Sequence, residues 1–414
     1  MLAAGIILIG VVLAYTWLVY PALVLWLGRR GRGISFGAGD VELPSVVIIF
    51  SAHNEEANIE DRLANLAAVD YPAERMRIRV GVDGGTDRTA ALAQAWAASH
   101  PNVTVVVAEK NRGKMAMLKR LVAEEQTADR RPQIADQGEE AVHCSPSSLL
   151  VFTDANTMFA PDALRLLVAP FVDPAVGGVC GRLVLEHGSA GKTDERAYWD
   201  TESRLKEAES QLDSCLGANG AIYAIRANLF PRDIPDNTIV DDFVIGMKVR
   251  EQGLRMLFEP RAVAREELPP AVSDEWRRRV RIGAGAYQAL ALCRRSLLPA
   301  FGVFSWVFWS HKVLRWFTPH LMLVALGLAG VWGGVQCSVF GVQGWRGGGH
   351  AAVVAALVVL GAALFVVLAF RAKARVAKPI RLAGYFMAMQ AALFVGFIRF
   401  CRGGLTGAWQ RTGR

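Results

Sequence analysis

Apolar positions along this chain fall into two regimes: short runs alternating with amphipathic stretches in the centre, and long, almost uncharged runs at the two ends. In the centre, VVIIFSA (46–52), RIRVGVD (77–83) and LLVFTDA (149–155) are rich in β-branched and aromatic residues and stop abruptly at acids, Asn or Gly. Such bounded runs predict strands. The pattern predicts strands at 45–51, 77–82, 103–107 and 148–153, with helices at 55–68, 86–99, 113–125 and 161–170. A strand at 176–186, a charged helix at 193–212, a Gly-rich segment at 217–226, a helix opening at Asp242, a short strand at 254–259 and a helix at 275–295 follow. Alternation of this kind predicts an α/β, mostly parallel sheet covered by helices on both faces. Such sheets present polar residues at the carboxyl ends of their strands, where ligands bind. Asp83 and Asp154, which end two apolar runs, and Asp242, which opens a helix, are therefore the candidate site acids.

The ends read differently. Residues 2–27 carry no charge, and at about 1.5 Å per residue they exceed a hydrocarbon core of roughly 30 Å, so a transmembrane helix is predicted over 1–28. Nothing basic precedes it and RRGRG follows, so it reads as a retained anchor rather than a cleaved signal peptide. The same arginines place the following domain, residues 40–270, on the cytosolic side. Three further apolar stretches lie at 317–336, 351–370 and 382–400, with the basic RAKARVAKPIR between the last two. Counting them outward from the cytosol leaves the basic tail outside, against the charge rule. Either the last stretch is re-entrant or interfacial, or the segment 297–316, with Trp306, Trp309 and Trp316, is more than an interfacial helix. The resulting division is interfacial helices over 271–316 and spanning helices over 317–402.

Composition narrows the classes. With 414 residues, 52% hydrophobic composition and mean hydropathy +0.26, the chain accommodates one soluble domain and several spans. The net charge of +8 gathers at membrane boundaries, in RRGRG, RRRVR, CRR and RAKARVAK. Anionic headgroups account for these clusters, and no nucleic acid is required. Six scattered cysteines without a CxxC pair indicate neither a disulfide framework nor a zinc site. The polar, aperiodic segment 125–147 reads as a surface insertion. A transporter is disfavoured, because the apolar stretches carry no midplane charges.

Chemistry-bearing motifs lie between the strands. In GVDGGTDRT, Asp83 precedes two glycines that let a ligand approach the backbone, although an Asp-Gly turn has the same look. NRGK, ending at Lys114, is not a phosphate loop: that motif needs Gly at 108 and Ser or Thr at 115, where the chain has Ala108 and Met115. Asp154 lies in TDAN, where an Asx cap is the structural alternative. Asp241 and Asp242 are adjacent, and neighbouring carboxylates raise each other's pKa, which suits a base near neutral pH. Helix-capping acids are the alternative there.

VVIIFSAHNEE, VDGGTDRT, NRGK, TDAN, GANGAIYAIR, VDD and RRVRI together, in this order and spacing, resemble the membrane-integrated family 2 glycosyltransferases over residues 40–290. That group includes cellulose, hyaluronan and poly-N-acetylglucosamine synthases. The resemblance implies a GT-A (Rossmann-like) domain and a UDP-sugar donor with Mg²⁺ or Mn²⁺. It implies that Asp154, with Asn156 at the third position of the DxD motif, holds the metal. Asp83 and Glu55 would contact the nucleotide, and Lys114 would point toward it. Asp242 would be the general base, with Asp241 replacing the family's Glu. Gly217, Asn219 and Gly220 would line the acceptor side. The QxxRW motif falls on 278–282, with Arg278 for Gln, Arg281 retained to brace the diphosphate, and Ile282 for Trp. A second Arg-Trp pair, Arg315-Trp316, lies farther from Asp242.

The implied function is inverting transfer of N-acetylglucosamine or glucose from a UDP-sugar to a growing polysaccharide. It would act at the cytoplasmic face of a bacterial inner membrane, with the lipid bilayer and export or assembly proteins as partners. The altered QxxRW leaves transfer of one sugar to a lipid acceptor, of ceramide or polyprenyl-phosphate type, as an alternative. Asn156, Asp241 and Ile282 leave a sugar-nucleotide-binding subunit without turnover as another.

Overall fold

The computed structural model describes residues 1–31, 42–128, 148–186, 193–267, 272–339, 378–403 and 405. From the N-terminus, helix α1 (Leu2–Gly28) precedes β1 (Val46–Ala52), α2 (Ile59–Ala67), β2 (Met76–Asp83), α3 (Thr89–Ser99), β3 (Val103–Ala108) and α4 (Lys114–Ala128). There follow β4 (Leu149–Thr153), β5 (Thr157–Phe159), α5 (Ala163–Val168), β6 (Val176–Glu186), α6 (Thr193–Leu212), β7 (Ile222–Arg226), α7 (Asp241–Glu251) and β8 (Arg255–Glu267). Helices α8 (Val272–Leu292), α9 (303–339) and α10 (Lys378–Cys401) complete the described chain. These elements form two compact units: Val24–Asp274 with Gln288–Trp306 and Gly404–Arg414, and Met1–Leu23 with Glu275–Tyr287 and Val307–Gly403.

The first unit holds an eight-stranded sheet in the order β3-β2-β1-β4-β7-β6-β8-β5. Its first half is parallel, as the alternating pattern predicts: β1 pairs with β2 and β4, and β2 with β3, all in parallel register. The second half is mixed. Strand β7 runs antiparallel to both β4 and β6, β5 runs antiparallel to β8, and β6 and β8 are parallel. Reversal of β7 sets Ile222 opposite Thr153. The start of one strand thus lies beside the end of the other, and the loop before β7 meets the residue after β4.

Every residue of β1 is buried, so the run is continuously apolar, as expected of a strand covered on both faces. Strand β2 instead alternates at its start, and its two arginines have a purpose. Arg77 and Arg79 pair with Glu125 at 2.6 and 2.5 Å, and Glu125 has no exposed surface. Buried charges survive when paired. Glu125, read from sequence at the edge of a surface insertion, is therefore a fixed point between α4 and β2; residues 129–147 of that insertion lie outside the described residues. Strand β8 continues past Pro260, where the sequence pattern ends its strand, with an irregularity in its pairing between Gly181 and Arg182 that admits the proline.

Among the described residues three helices are long and apolar enough to cross a membrane: Leu2–Gly28, Val303–Gly333 and Ala383–Cys401. The second begins before the apolar stretch read at 317, because Lys312 and Arg315 interrupt the sequence pattern without interrupting the helix. The stretch at 351–370 lies outside the described residues. Within the second unit, Trp17 Nε1 donates to Thr318 Oγ1 at 3.1 Å, and Tyr15 and Ser310 hydroxyls lie 2.8 Å apart. A Cβ on Gly396 would stand 2.6 Å from the Ala284 nitrogen, the close backbone approach that small residues allow between helices.

Candidate active site

The site is assembled where β2, β4 and β7 meet the start of α7. Asp83 ends β2 and is 1% exposed. Its two oxygens accept the backbone N–H groups of Arg112 and Gly113, at 2.9 and 2.7 Å. The carboxylate thus anchors the loop that leads into α4 and aims its first residue, Lys114. Gly84, at φ 63°, is needed beside it, since a Cβ there would overlap the backbone of Lys110 and Asn111.

Lys114 Nζ donates to Asp154 Oδ1 at 2.5 Å and lies 3.9 Å from Asp241 Oδ2. Burial alone would lower the pKa of this ammonium, but Asp154, Asp241 and Asp242 override it and hold the pKa above its ordinary value. Asp241 is 5% exposed and its Oδ2 has no hydrogen-bond partner. Burial pushes this carboxyl up to about 6; Lys114 opposes the shift, and Asp242 and Asp154 add to it. Burial also raises Asp242, again against Lys114, and the Phe243 N–H donates to its Oδ1 at 2.8 Å.

Gly220 closes this cluster from the β7 side. A Cβ there would stand 2.9 Å from Asp154 Oδ2 and 3.3 Å from Lys114 Nζ, so no larger residue fits without displacing the pair. Gly217, at φ 62°, lets the loop pass against Phe243. Asn219 is engaged within the loop: its amide nitrogen donates to the Gly181 carbonyl at 2.8 Å and its oxygen accepts the Ile222 N–H at 3.2 Å. Lys206 of α6 reaches the same region, with its Nζ 3.9 Å from Cys180 Sγ, and is raised in pKa by neighbours that include Asp242.

The remaining sequence candidates are more dispersed. Glu55 Oε2 accepts from Asn58 at 2.6 Å, and the Glu55 N–H donates to Thr89 Oγ1 at 2.8 Å, which ties the loop after β1 to the start of α3. Asn156 donates its amide to Glu266 Oε1 at 2.7 Å. Arg278 and Arg281 lie half-buried on α8, in the stretch Glu275–Tyr287 that belongs to the second unit. Sequence reasoning passed over Arg62, which is fully buried and donates to Thr153 Oγ1 at 2.8 Å, directly before Asp154. Its signal was present: an arginine on the apolar face of α2 with Ile59, Leu63 and Leu66.

The donor set suits a hard divalent cation that takes most of its ligands from elsewhere. Among the described residues no three His, Cys, Asp or Glu side chains group to hold a metal by themselves. Asp154 and the amide oxygen of Asn156 offer few hard oxygens, and the buried Asp241 carboxyl, 3.9 Å from Lys114 Nζ and without a hydrogen bond on that oxygen, lies nearby. Such a set fits Mg²⁺ or Mn²⁺ when phosphate oxygens complete the shell.

Comparisons with known proteins bear on the family and the fold. The family described as glycosyltransferase like family 2 matches residues 44–285. The poly-beta-1,6-N-acetyl-D-glucosamine synthase of Staphylococcus aureus strain COL is 24% identical over 255 residues, 60% of this chain and 56% of that protein. The synthase of the same name from Staphylococcus epidermidis is 20% identical over 282 residues, 66% of this chain and 63% of its own. The chain therefore spans a little over half the length of these curated relatives. Among solved structures, the mannosyltransferase PcManGT of Pyrobaculum calidifontis, in complex with GDP-Man and Mn²⁺, superposes with a TM-score of 0.63 at 24% identity, covering 97% of this chain and 99% of that one.

Proposed function

The chain belongs to glycosyltransferase-like family 2 and has the GT-A fold, and we propose that it is an inverting enzyme that moves N-acetylglucosamine or glucose from a UDP-sugar to a growing polysaccharide at the cytoplasmic face of a membrane. The observation that carries this reading is the convergence of Asp154, Lys114 and the Asp241–Asp242 pair beside the Gly220 loop. Asp242 takes the proton of an acceptor hydroxyl as that oxygen bonds to the anomeric carbon. The bond from that carbon to the UDP oxygen breaks on the opposite face, and UDP leaves with the electron pair. Burial, helped by Asp154, raises the pKa of Asp242, the direction that strengthens it as a base.

Lys114 bears on the diphosphate and balances charge gathering on the leaving group, where preorganised electrostatics act most strongly. Arg281, with Arg278, is assigned to brace the same group by analogy with the family motif. Asp154 and Asn156 would hold Mg²⁺ or Mn²⁺, which supplies Lewis-acid stabilisation of the diphosphate when bound. Asp83 serves by fixing the loop before Lys114 as well as by facing the nucleotide side, where Glu55 also lies. The three apolar helices support attachment to a membrane, and the arginines after the first favour a cytosolic catalytic unit, which we assign to a bacterial inner membrane.

One observation favours a second reading, transfer of a single sugar to a lipid. Ile282 stands where the family places an aromatic platform, and it is 45% exposed. Purified protein incubated with Mn²⁺ and UDP-N-acetylglucosamine, UDP-glucose or GDP-mannose, with nucleotide release and product mass recorded, separates these. A ladder of sugar masses supports polymer synthesis, one added hexose on lipid supports the second reading, and no nucleotide release from any donor overturns both.

A further inference from the structure

We propose that Arg62 is a positioning residue for the donor diphosphate, an inference that rests on the UDP-sugar reading above. Arg62 has no exposed surface, and the hydrogen-bond partners of its Nη atoms are neutral: Asn65 Oδ1 at 2.7 Å and Thr153 Oγ1 at 2.8 Å. Its guanidinium lies 4.4 Å from the centre of the Phe159 ring, and its Nε has no hydrogen-bond partner. A buried charge without an ion pair is unfavourable unless something compensates it. The acid whose charge acts on it is Asp154.

The hydrogen bonds fix where that charge sits relative to the site, and it acts there through space. Thr153, which accepts from Arg62, donates to the Ala221 carbonyl at 2.7 Å. The Thr157 hydroxyl lies 2.9 Å from Thr153 Oγ1 and 3.0 Å from the Asp154 carbonyl oxygen. Arg62 therefore stands behind both walls of the candidate site, the Asp154 turn and the Gly220–Ala221 loop. Three acids face the donor from the front, with Lys114 among them. A diphosphate arriving there meets negative charge, and a cation held in the low-dielectric interior behind Asp154 reduces that opposition without occupying space in the site.

The test is calorimetric titration of UDP with saturating Mn²⁺ into the full-length protein in detergent, below the onset of melting of each variant. Arg62→Met, which keeps bulk and removes charge, is expected to weaken UDP binding at least tenfold, whereas Arg62→Lys, which keeps the charge, stays within threefold of wild type. Unchanged binding in Arg62→Met overturns the proposal, and so does equal weakening in both variants, which would mark a packing role. Thr153→Val, close to isosteric, tests the link independently of whether Arg62→Met folds. A threefold or greater loss supports the proposal, and wild-type affinity overturns it. Failure of wild-type protein to bind UDP would instead refute the functional reading.

Discussion

The Lys114 ammonium donates to the Asp154 carboxylate at 2.5 Å, so the acid assigned to the metal already carries a cation. The pairing is reached from two separate segments: the loop before Lys114, held by Asp83 through the Arg112 and Gly113 N–H groups, and the turn directly after β4, which carries Asp154. On the proposed reading, a metal held by Asp154 would share one anionic cluster with this lysine.

Removing that lysine exposes the balance. Lys114→Met is expected to raise the KM for the UDP-sugar about tenfold or more, the scale of a lost charge-assisted contact. Lys114 also lowers the pKa of Asp241 and Asp242. Its loss therefore moves the acidic limb of the kcat/KM profile to higher pH, and an unmoved limb would contradict the coupling.

Asp242→Asn removes the base while keeping the shape of the side chain. UDP release in the presence of acceptor should fall by roughly 10²–10⁴, with UDP affinity in calorimetry little changed. Retained turnover would contradict the base assignment.

Asp241 predicts an opposite trade between stability and activity. Its folded pKa of about 6 exceeds its ordinary 3.8, so the folded state holds the proton more tightly than the unfolded chain. That contribution to stability is complete below pH 4 and is lost as pH rises through 6. Asp241→Asn, which cannot ionise, should therefore be more thermostable than wild type at pH 7.5, by on the order of 2–3 kcal/mol, and not at pH 4, while losing activity. Thermal melts at the two pH values decide this.

Asn156→Asp restores an acid at the third position of the metal motif, yet it is not expected to be benign. The Asn156 amide donates to Glu266 at 2.7 Å, and an aspartate would place a second carboxylate against that one. The single variant should melt at lower temperature than wild type, and Asn156→Asp combined with Glu266→Gln should recover it. Equal melting temperatures for the single variant and wild type would show that the bond contributes nothing.

Gly220→Ala tests the closeness of the two walls. The added methyl would meet Asp154 Oδ2 at 2.9 Å, so UDP-sugar turnover should fall at least tenfold, the scale on which small misplacements of reacting groups are felt. Full activity would show that the loop has room to move.

Much of this was visible in the sequence, for identifiable reasons. Strand β1 and the run before Asp154 are buried throughout, and β2, which ends at Asp83, alternates only at its start, so hydrophobic runs bounded by polar residues located them directly. The direction of β7 was not visible, because strand composition carries no sign, and neither was β5, which has three residues. Lys114 was legible as a motif, but its bond to Asp154 was not, since it depends on β2 and β4 flanking β1 in parallel, an order that strand composition does not carry. Arg62 was missed because helical periodicity places it among core positions, where a charge reads as an exception rather than as chemistry. Asn156 was read as a neutral metal ligand, and its bond to Glu266 of β8 required the strand that sequence ended at residue 259.

A single strand running backwards has a lasting effect on how such an enzyme diversifies. On the proposed reading the donor-facing groups hang on the forward-running half of the sheet, whereas the segment before β7 arrives from the opposite direction and is tied to β6 through Asn219 and to β4 through the Ala221 carbonyl. Substitutions in that segment away from Gly220, where a side chain would press on Asp154 and Lys114, would on that reading alter the side that receives the sugar and leave that pair in place.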